Sequence, residues 1–82
     1  MNYVLLTERL IKALVLDPDM VTVKEFPSED DKKVVIQVLV GEDDLKRVIG
    51  RGGRTINAVR TLVAASSSLH DHKYITINVE SF

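Results

Sequence analysis

A chain of 82 residues, 45% hydrophobic and 5% aromatic, can build one compact domain with a modest aliphatic core, and its few aromatic residues suit base-stacking platforms poorly. It contains no cysteine, which removes disulfides, thiolate zinc sites and cysteine nucleophiles together. The formal net charge of -1 hides an asymmetry: residues 1–44 carry ten acidic and five basic side chains, residues 45–82 two acidic and six basic.

Tyr3, Leu6, Leu10, Ala13 and Leu14 recur at helical spacing, with Thr7, Glu8, Arg9 and Lys12 between them. The pattern predicts a helix from Tyr3 to about Val15, ended by Asp17-Pro18. Leu5, Ile11 and Val15 widen the apolar stripe, which suits a well-covered helix or one partly used at an interface. Val21 to Phe26 alternates, and after the polar stretch 28–33 the run Val34 to Val40 is apolar on nearly both faces. These read as two strands joined by a solvated acidic turn, the second strand central and covered.

Glu42-Asp43-Asp44 places acids at the start of a short helix, where they favour the positive end of its macrodipole. Leu45, Val48 and Ile49 form its apolar face and Gly50 stops it. Another helix begins after Gly53, carries Ile56, Val59, Leu62, Val63 and Ala65, and dissolves near Ser66-Ser67-Ser68. Tyr74 to Val79 then alternates, with Ile75, Ile77 and Val79 on one face of a strand.

The order helix, strand, strand, helix, glycine turn, helix, strand predicts an α+β fold, α-β-β-α-α-β, with a three-stranded mixed sheet covered on one face by three helices. The first two strands are expected to pair antiparallel. The last two, joined through helices, should be parallel by a right-handed crossover. The sequence shows no repeat, linker or low-complexity tract, no basic region followed by a continuous apolar run near Met1, and no apolar run of about 20 residues. The expectation is a single domain over residues 1–82 of a soluble cytoplasmic protein.

Gly50-Arg51-Gly52-Gly53 stands out within Val48-Ile49-Gly50-Arg51-Gly52-Gly53-Arg54-Thr55-Ile56. Glycines flanking a cation between two helices make a turn whose main chain a ligand can approach closely, and a phosphate-sugar backbone is the ligand such a turn best serves. No Asp or Glu occurs from Leu45 to Leu69, while Lys46, Arg47, Arg51, Arg54 and Arg60 all fall there. Chance clustering on a solvated face is the alternative reading of these cations.

The nine-residue pattern around the turn resembles the signature of KH RNA-binding domains, whose GXXG loop joins two short helices, and the element order resembles their type II arrangement. With Asn57-Ala58-Val59-Arg60-Thr61-Leu62-Val63 and the overall length, the chain is similar to the small bacterial single-KH proteins of the KhpA family. The resemblance implies a non-enzymatic protein that clamps short single-stranded RNA, about four nucleotides per module, in post-transcriptional regulation or as an RNA chaperone. Phosphates would meet Gly50, Arg51, Gly52, Gly53 and Arg54, with Lys46, Arg47 and Arg60 adding charge. The implied apolar floor draws on Val48, Ile49 and Ile56, although Ile56 also continues the Val59 and Val63 core stripe. Asn57 suits a base edge or an exposed helix position. Gly52 departs from the basic or polar residue many KH loops carry there, leaving one cation in a more flexible loop and weaker binding. The resemblance also implies homodimers, or heterodimers with a KhpB/Jag-like KH protein.

Other readings fit less well. A Walker loop needs a Lys after its glycines, and a dinucleotide fingerprint needs a third glycine where Thr55 stands and a strand before it, so no nucleotide cofactor is expected. His70-Asp71-His72 lies in a connection without a companion ligand, so no metal site is expected, and Ser66-Ser67-Ser68 has no partnered base for catalysis. A helix-hairpin-helix DNA module also grips phosphates through an Ile-Gly-x-Gly turn, but such modules sit among helices, whereas strands bracket this one.

Overall fold

The computed structural model describes residues 2–82. Its elements are α1 (Tyr3–Lys12), β1 (Thr22–Phe26), β2 (Lys33–Val40), α2 (Leu45–Ile49), α3 (Arg54–His70) and β3 (Tyr74–Ser81), with single 3-10 turns at Pro18–Met20, Glu42–Asp44 and Arg51–Gly53. The sheet order is β1-β2-β3. β1 runs antiparallel to β2, pairing Thr22 with Leu39 and Phe26 with Val35, and β2 runs parallel to β3, pairing Lys33 with Tyr74 and Val40 with Ser81. This is the α+β, mixed-sheet arrangement of the type II KH fold.

Alternation along the strands decides which side chains meet the helices. Val34, Ile36, Val38 and Val40 of β2 and Ile77 of β3 are buried with Val48 of α2 and Ile56, Val59 and Val63 of α3. The other face of β2 carries Val35, Gln37 and Leu39, which are only half-buried. The near-continuous apolar run of β2 therefore marks a central strand covered on one side, not on both.

α1 is capped by Asn2, whose side chain accepts the Leu5 N–H at 3.0 Å. It buries Tyr3, Thr7 and Ile11, so Ile11 belongs to the core and not to a partner-facing stripe, whereas Leu5 is exposed. The helix stops at Lys12, short of Val15, because the chain then bends to bring the Leu16 and Asp17 N–H groups onto the Asp44 carboxylate, at 3.0 and 3.1 Å. Asp44 is itself buried. Its carboxylate makes no cap bond to α2, so its main use is to latch the α1–β1 connection rather than to complement a helix dipole.

α3 continues through all three serines to His70. Ser67 is buried, and its hydroxyl donates to the Lys73 C=O at 2.8 Å and accepts the Lys73 N–H at 3.1 Å. A serine that ties down the returning chain suits the inner face of a helix, so the polar triplet does not end α3.

Candidate nucleic-acid interface

α2 ends where the Gly50 N–H donates to the Lys46 C=O at 2.9 Å. Gly50 then takes φ 77° and ψ 172°, a region open essentially to glycine. A Cβ there would lie 2.2 Å from Thr55 Oγ1, 2.7 Å from Thr55 Cβ and 2.9 Å from Thr55 N. The close approach of Thr55 thus requires glycine at position 50. Gly52 is left-handed at φ 64° and ψ 19°, but a Cβ there meets nothing within 4 Å. Glycine at this position relaxes the backbone and leaves the outer surface of the turn open.

Gly53 is the N-cap of the 17-residue α3 and has no side chain with which to cap it. Its N–H donates to the Gly50 C=O at 3.1 Å, closing the turn. The first N–H groups of a helix lack intrahelical acceptors and carry the positive end of its dipole. Here the Gly53 and Arg54 N–H groups close the turn onto the Gly50 and Arg51 C=O, and the helix starts beside exposed Arg51, Gly52 and Arg54.

The other candidate residues divide by environment. Lys46 is exposed on α2. Arg47 is turned back, with Nη1 3.0 Å from the Asp43 C=O and 3.3 Å from the Asp44 carboxylate. Arg60 spans from α3 to β3, where Nε and Nη2 donate to the Ile77 C=O at 3.2 and 3.0 Å and Nη1 donates to Asn57 Oδ1 at 3.0 Å. Because the Tyr74 and Phe82 N–H groups reach Lys32 and Val40 on the β2 side, the Ile77 C=O faces the free edge of β3. Arg60 therefore covers part of that edge, and Asn57 orients Arg60. Among the apolar candidates, Val48 and Ile56 are core residues, while Ile49 is 36% exposed beside the loop.

Among the described residues, three groups have displaced protonation equilibria, none of them in the glycine loop. Hydrogen bonds from the Leu16 and Asp17 N–H groups, aided by Arg47, hold the Asp44 carboxyl below the usual carboxylate range. Burial raises the Tyr3 phenol, and its hydrogen bond to the Asp71 carboxylate adds to this. The same bond lowers the Asp71 carboxyl. At the far end of α3, a cavity lined by Ala64, Ser68, His72, Lys73, Tyr74 and Ile75 was not signalled by any motif, since its walls come from a helix end, a connection and a strand start. Among the described residues, no three His, Asp or Glu side chains are gathered as a metal site, and no helix is long and apolar enough to cross a membrane.

The family model describing the KhpA/KhpB KH domain matches residues 5–79. The RNA-binding protein KhpA of Thermotoga maritima is 39% identical over 90% of this chain and 93% of its own length. KhpA of Mycobacterium tuberculosis is 49% identical over 70% of this chain and 69% of its own, and that of Caldanaerobacter subterraneus is 35% identical over 90% and 95%. Among solved structures, Era in complex with MgGDPNP and nucleotides 1506–1542 of 16S ribosomal RNA matches 98% of this chain and 30% of its own with a TM-score of 0.73. Era of Aquifex aeolicus gives 0.72. Both share 16% identity with this chain, a likeness of fold alone. With the sheet topology, the glycine turn and matches spanning nearly the whole sequence in agreement, the chain belongs to the KhpA/KhpB KH-domain family.

Proposed function

We propose that this protein binds single-stranded RNA by laying phosphates against Gly50–Gly53 and the first turn of α3. The observation that carries this reading is the start of α3, where Gly53 leaves the helix without a side-chain cap, with Arg51 and Arg54 exposed beside it and no acidic residue from Leu45 to Leu69. Arg51 supplies a planar cation suited to phosphate oxygens. Ile49 offers the apolar surface for a base, whereas Ile56 supports the loop from the core. One such module binds weakly and in a salt-dependent manner, as suits a protein that samples many transcripts in post-transcriptional regulation or as an RNA chaperone. The sheet beside the loop supports this reading over a helix-hairpin-helix DNA module.

Crosslinking of wild type and an Arg51→Asp/Gly52→Asp variant to single-stranded RNA tests the assignment. The variant should fold, because Arg51 is exposed, a Cβ at Gly52 meets nothing and Asp tolerates left-handed backbone. Its crosslinking should fall sharply, and undiminished crosslinking by the folded variant rejects the loop as the binding site. Preference for duplex DNA in competition would return the helix-hairpin-helix reading.

A second reading, self-association, is favoured by a different surface from α1. Ala58, Leu62, Ala65 and Leu69 are exposed at heptad spacing on the side of α3 opposite its buried Ile56, Val59 and Val63. Leu62 and Leu69 are 57% and 80% exposed. Sedimentation of a Leu62→Glu/Leu69→Glu variant tests it: if self-association occurs through this stripe, the variant sediments as a monomer where the wild type does not.

A further inference from the structure

The cavity at the far end of α3 has a volume of about 340 Å³ and is lined by Ala64, Ser68, His72, Lys73, Tyr74 and Ile75. That volume lies in the range of small-molecule sites. Gly53, Asn57, Arg60, Ala64 and Ser68 follow one another in steps of three and four, so they share one face of α3. The face runs beside β3, which it meets through Arg60 on the Ile77 C=O and through Ala64 and Ser68 across the cavity from Ile75. A ledge about 22 Å long therefore joins the glycine loop to the cavity.

The connection that walls the cavity is held firmly. The Asp71 and His72 N–H groups both donate to the Ser67 C=O, at 2.8 and 2.7 Å, and the Ser67 hydroxyl grips both backbone groups of Lys73. His72 sits at φ 56° and is the only non-glycine residue with positive φ among those described. Helices usually place glycine at such a closing position, so the imidazole is carried on a strained backbone where a smaller residue would relax it.

The lining is chemically mixed in a way that fits one ligand class. Lys73 and His72 provide a cation and a ring nitrogen for phosphate oxygens, Ser68 a hydroxyl for ribose, and Ala64 with Ile75 an apolar wall for the face of a base. We infer that the cavity is a second nucleotide subsite, taking a nucleotide of the same single-stranded RNA beyond those held by the glycine loop, with its phosphate at Lys73 and His72. The inference rests on the loop reading above and extends the strand's path along α3.

Fluorescence anisotropy with RNAs of about four and about ten nucleotides, over a range of salt, separates the two sites. Lys73→Ala and His72→Gly should bind the short RNA as wild type does. With the long RNA each should lose about three- to fivefold in affinity. Lys73→Ala should also show a shallower salt dependence, by about 0.7 in the logarithmic slope. His72→Gly should melt no lower than wild type, which excludes misfolding as the cause. Wild-type affinity and slope for the long RNA in both variants overturn the subsite, as does an equal loss with both lengths. Arg51→Ala reports on the loop separately: if it leaves both RNAs unaffected, the loop reading fails, whatever Lys73→Ala does.

Discussion

Gly50→Ala is expected to unfold the protein far more easily than Gly52→Ala, although both glycines lie in the same turn at positive φ. At Gly52 the added methyl meets open space, so the cost is that of a left-handed alanine, about 1 kcal/mol. At Gly50 the backbone region itself costs roughly 1–3 kcal/mol for a non-glycine residue. Three contacts with Thr55 below 3.0 Å add to this, and one of them is to backbone nitrogen, so rotating the Thr55 side chain cannot relieve them all. Overpacking of this kind costs roughly another 1–3 kcal/mol. The total, about 2–6 kcal/mol, is a large share of the 5–15 kcal/mol typical of a small domain. At roughly 4–8 °C per kcal/mol for this chain length, Gly52→Ala should lower Tm by about 4–8 °C and Gly50→Ala by about 8 °C at the least and by several times that at the upper end. Thermal and urea unfolding followed by circular dichroism, without RNA, measures both. Pairing Gly50→Ala with Thr55→Gly removes two of the three contacts, so a double-mutant cycle should show favourable coupling of about 1 kcal/mol or more. Equal melting of the two single variants, or no coupling with Thr55, refutes the account.

The other expectations follow from single side chains. Thr7 is fully buried and its Oγ1 lacks a hydrogen-bond partner, so Thr7→Val should raise stability by about 1 kcal/mol, read as a higher urea midpoint. Asp44 has a lowered carboxyl pKa in the folded state, so its stabilisation is full above the ordinary carboxylate range and is lost as pH falls through the folded-state value. Asp44→Asn should therefore be less stable than wild type at neutral pH, with the gap in Tm closing on acidification; a constant gap counts against the latch. Gly52→Lys should trade about 1 kcal/mol of stability for a second loop cation, giving tighter RNA binding and a steeper salt dependence in anisotropy titrations. For a short single strand, the wild-type slope of log affinity against log salt should be about -2, from three phosphate contacts, rather than the roughly -3.5 that five cations would give.

Apolar periodicity made most of the architecture legible. Alternation at Ile75, Ile77 and Val79 and the run Val34 to Val40 mark strands that pair as expected, and the helical connection between them makes that pair parallel. The element ends were less legible, because tertiary hydrogen bonds set them. Nothing local distinguishes Asp44 from Glu42 and Asp43, yet only Asp44 meets the N–H groups of Leu16 and Asp17 across 28 and 27 positions of chain. Ser67 looks like a helix breaker among serines until the returning Lys73 backbone supplies its partner. Thr7 reads as a polar spacer, but the position four residues before Ile11 faces inward on the same side of the helix. The glycine loop was legible because its requirement is backbone conformation, which residue type reports directly. The wall at His72 and Lys73 was not, because a cavity between a helix end and a strand start leaves no periodic trace.

The charges around the loop show that cations alike in sequence can differ in environment. Lys46, Arg47, Arg51, Arg54 and Arg60 look equivalent in an acid-free stretch of sequence. In the fold, Arg47 is partnered by Asp44, an acid just outside that stretch, and Arg60 spends three of its donors on Ile77 and Asn57. A guanidinium already paired gains little from a phosphate unless it first gives up those bonds, and for Arg60 that would expose the edge of β3. Lys46, Arg51 and Arg54 make no ion pair among the described residues and remain exposed around the start of α3. Two of the five cations thus have partners within the fold, and the other three make no ion pair among the described residues. A partnered charge and an unpaired one can be neighbours in sequence and still differ in environment, because the partner that decides between them is brought in by the fold.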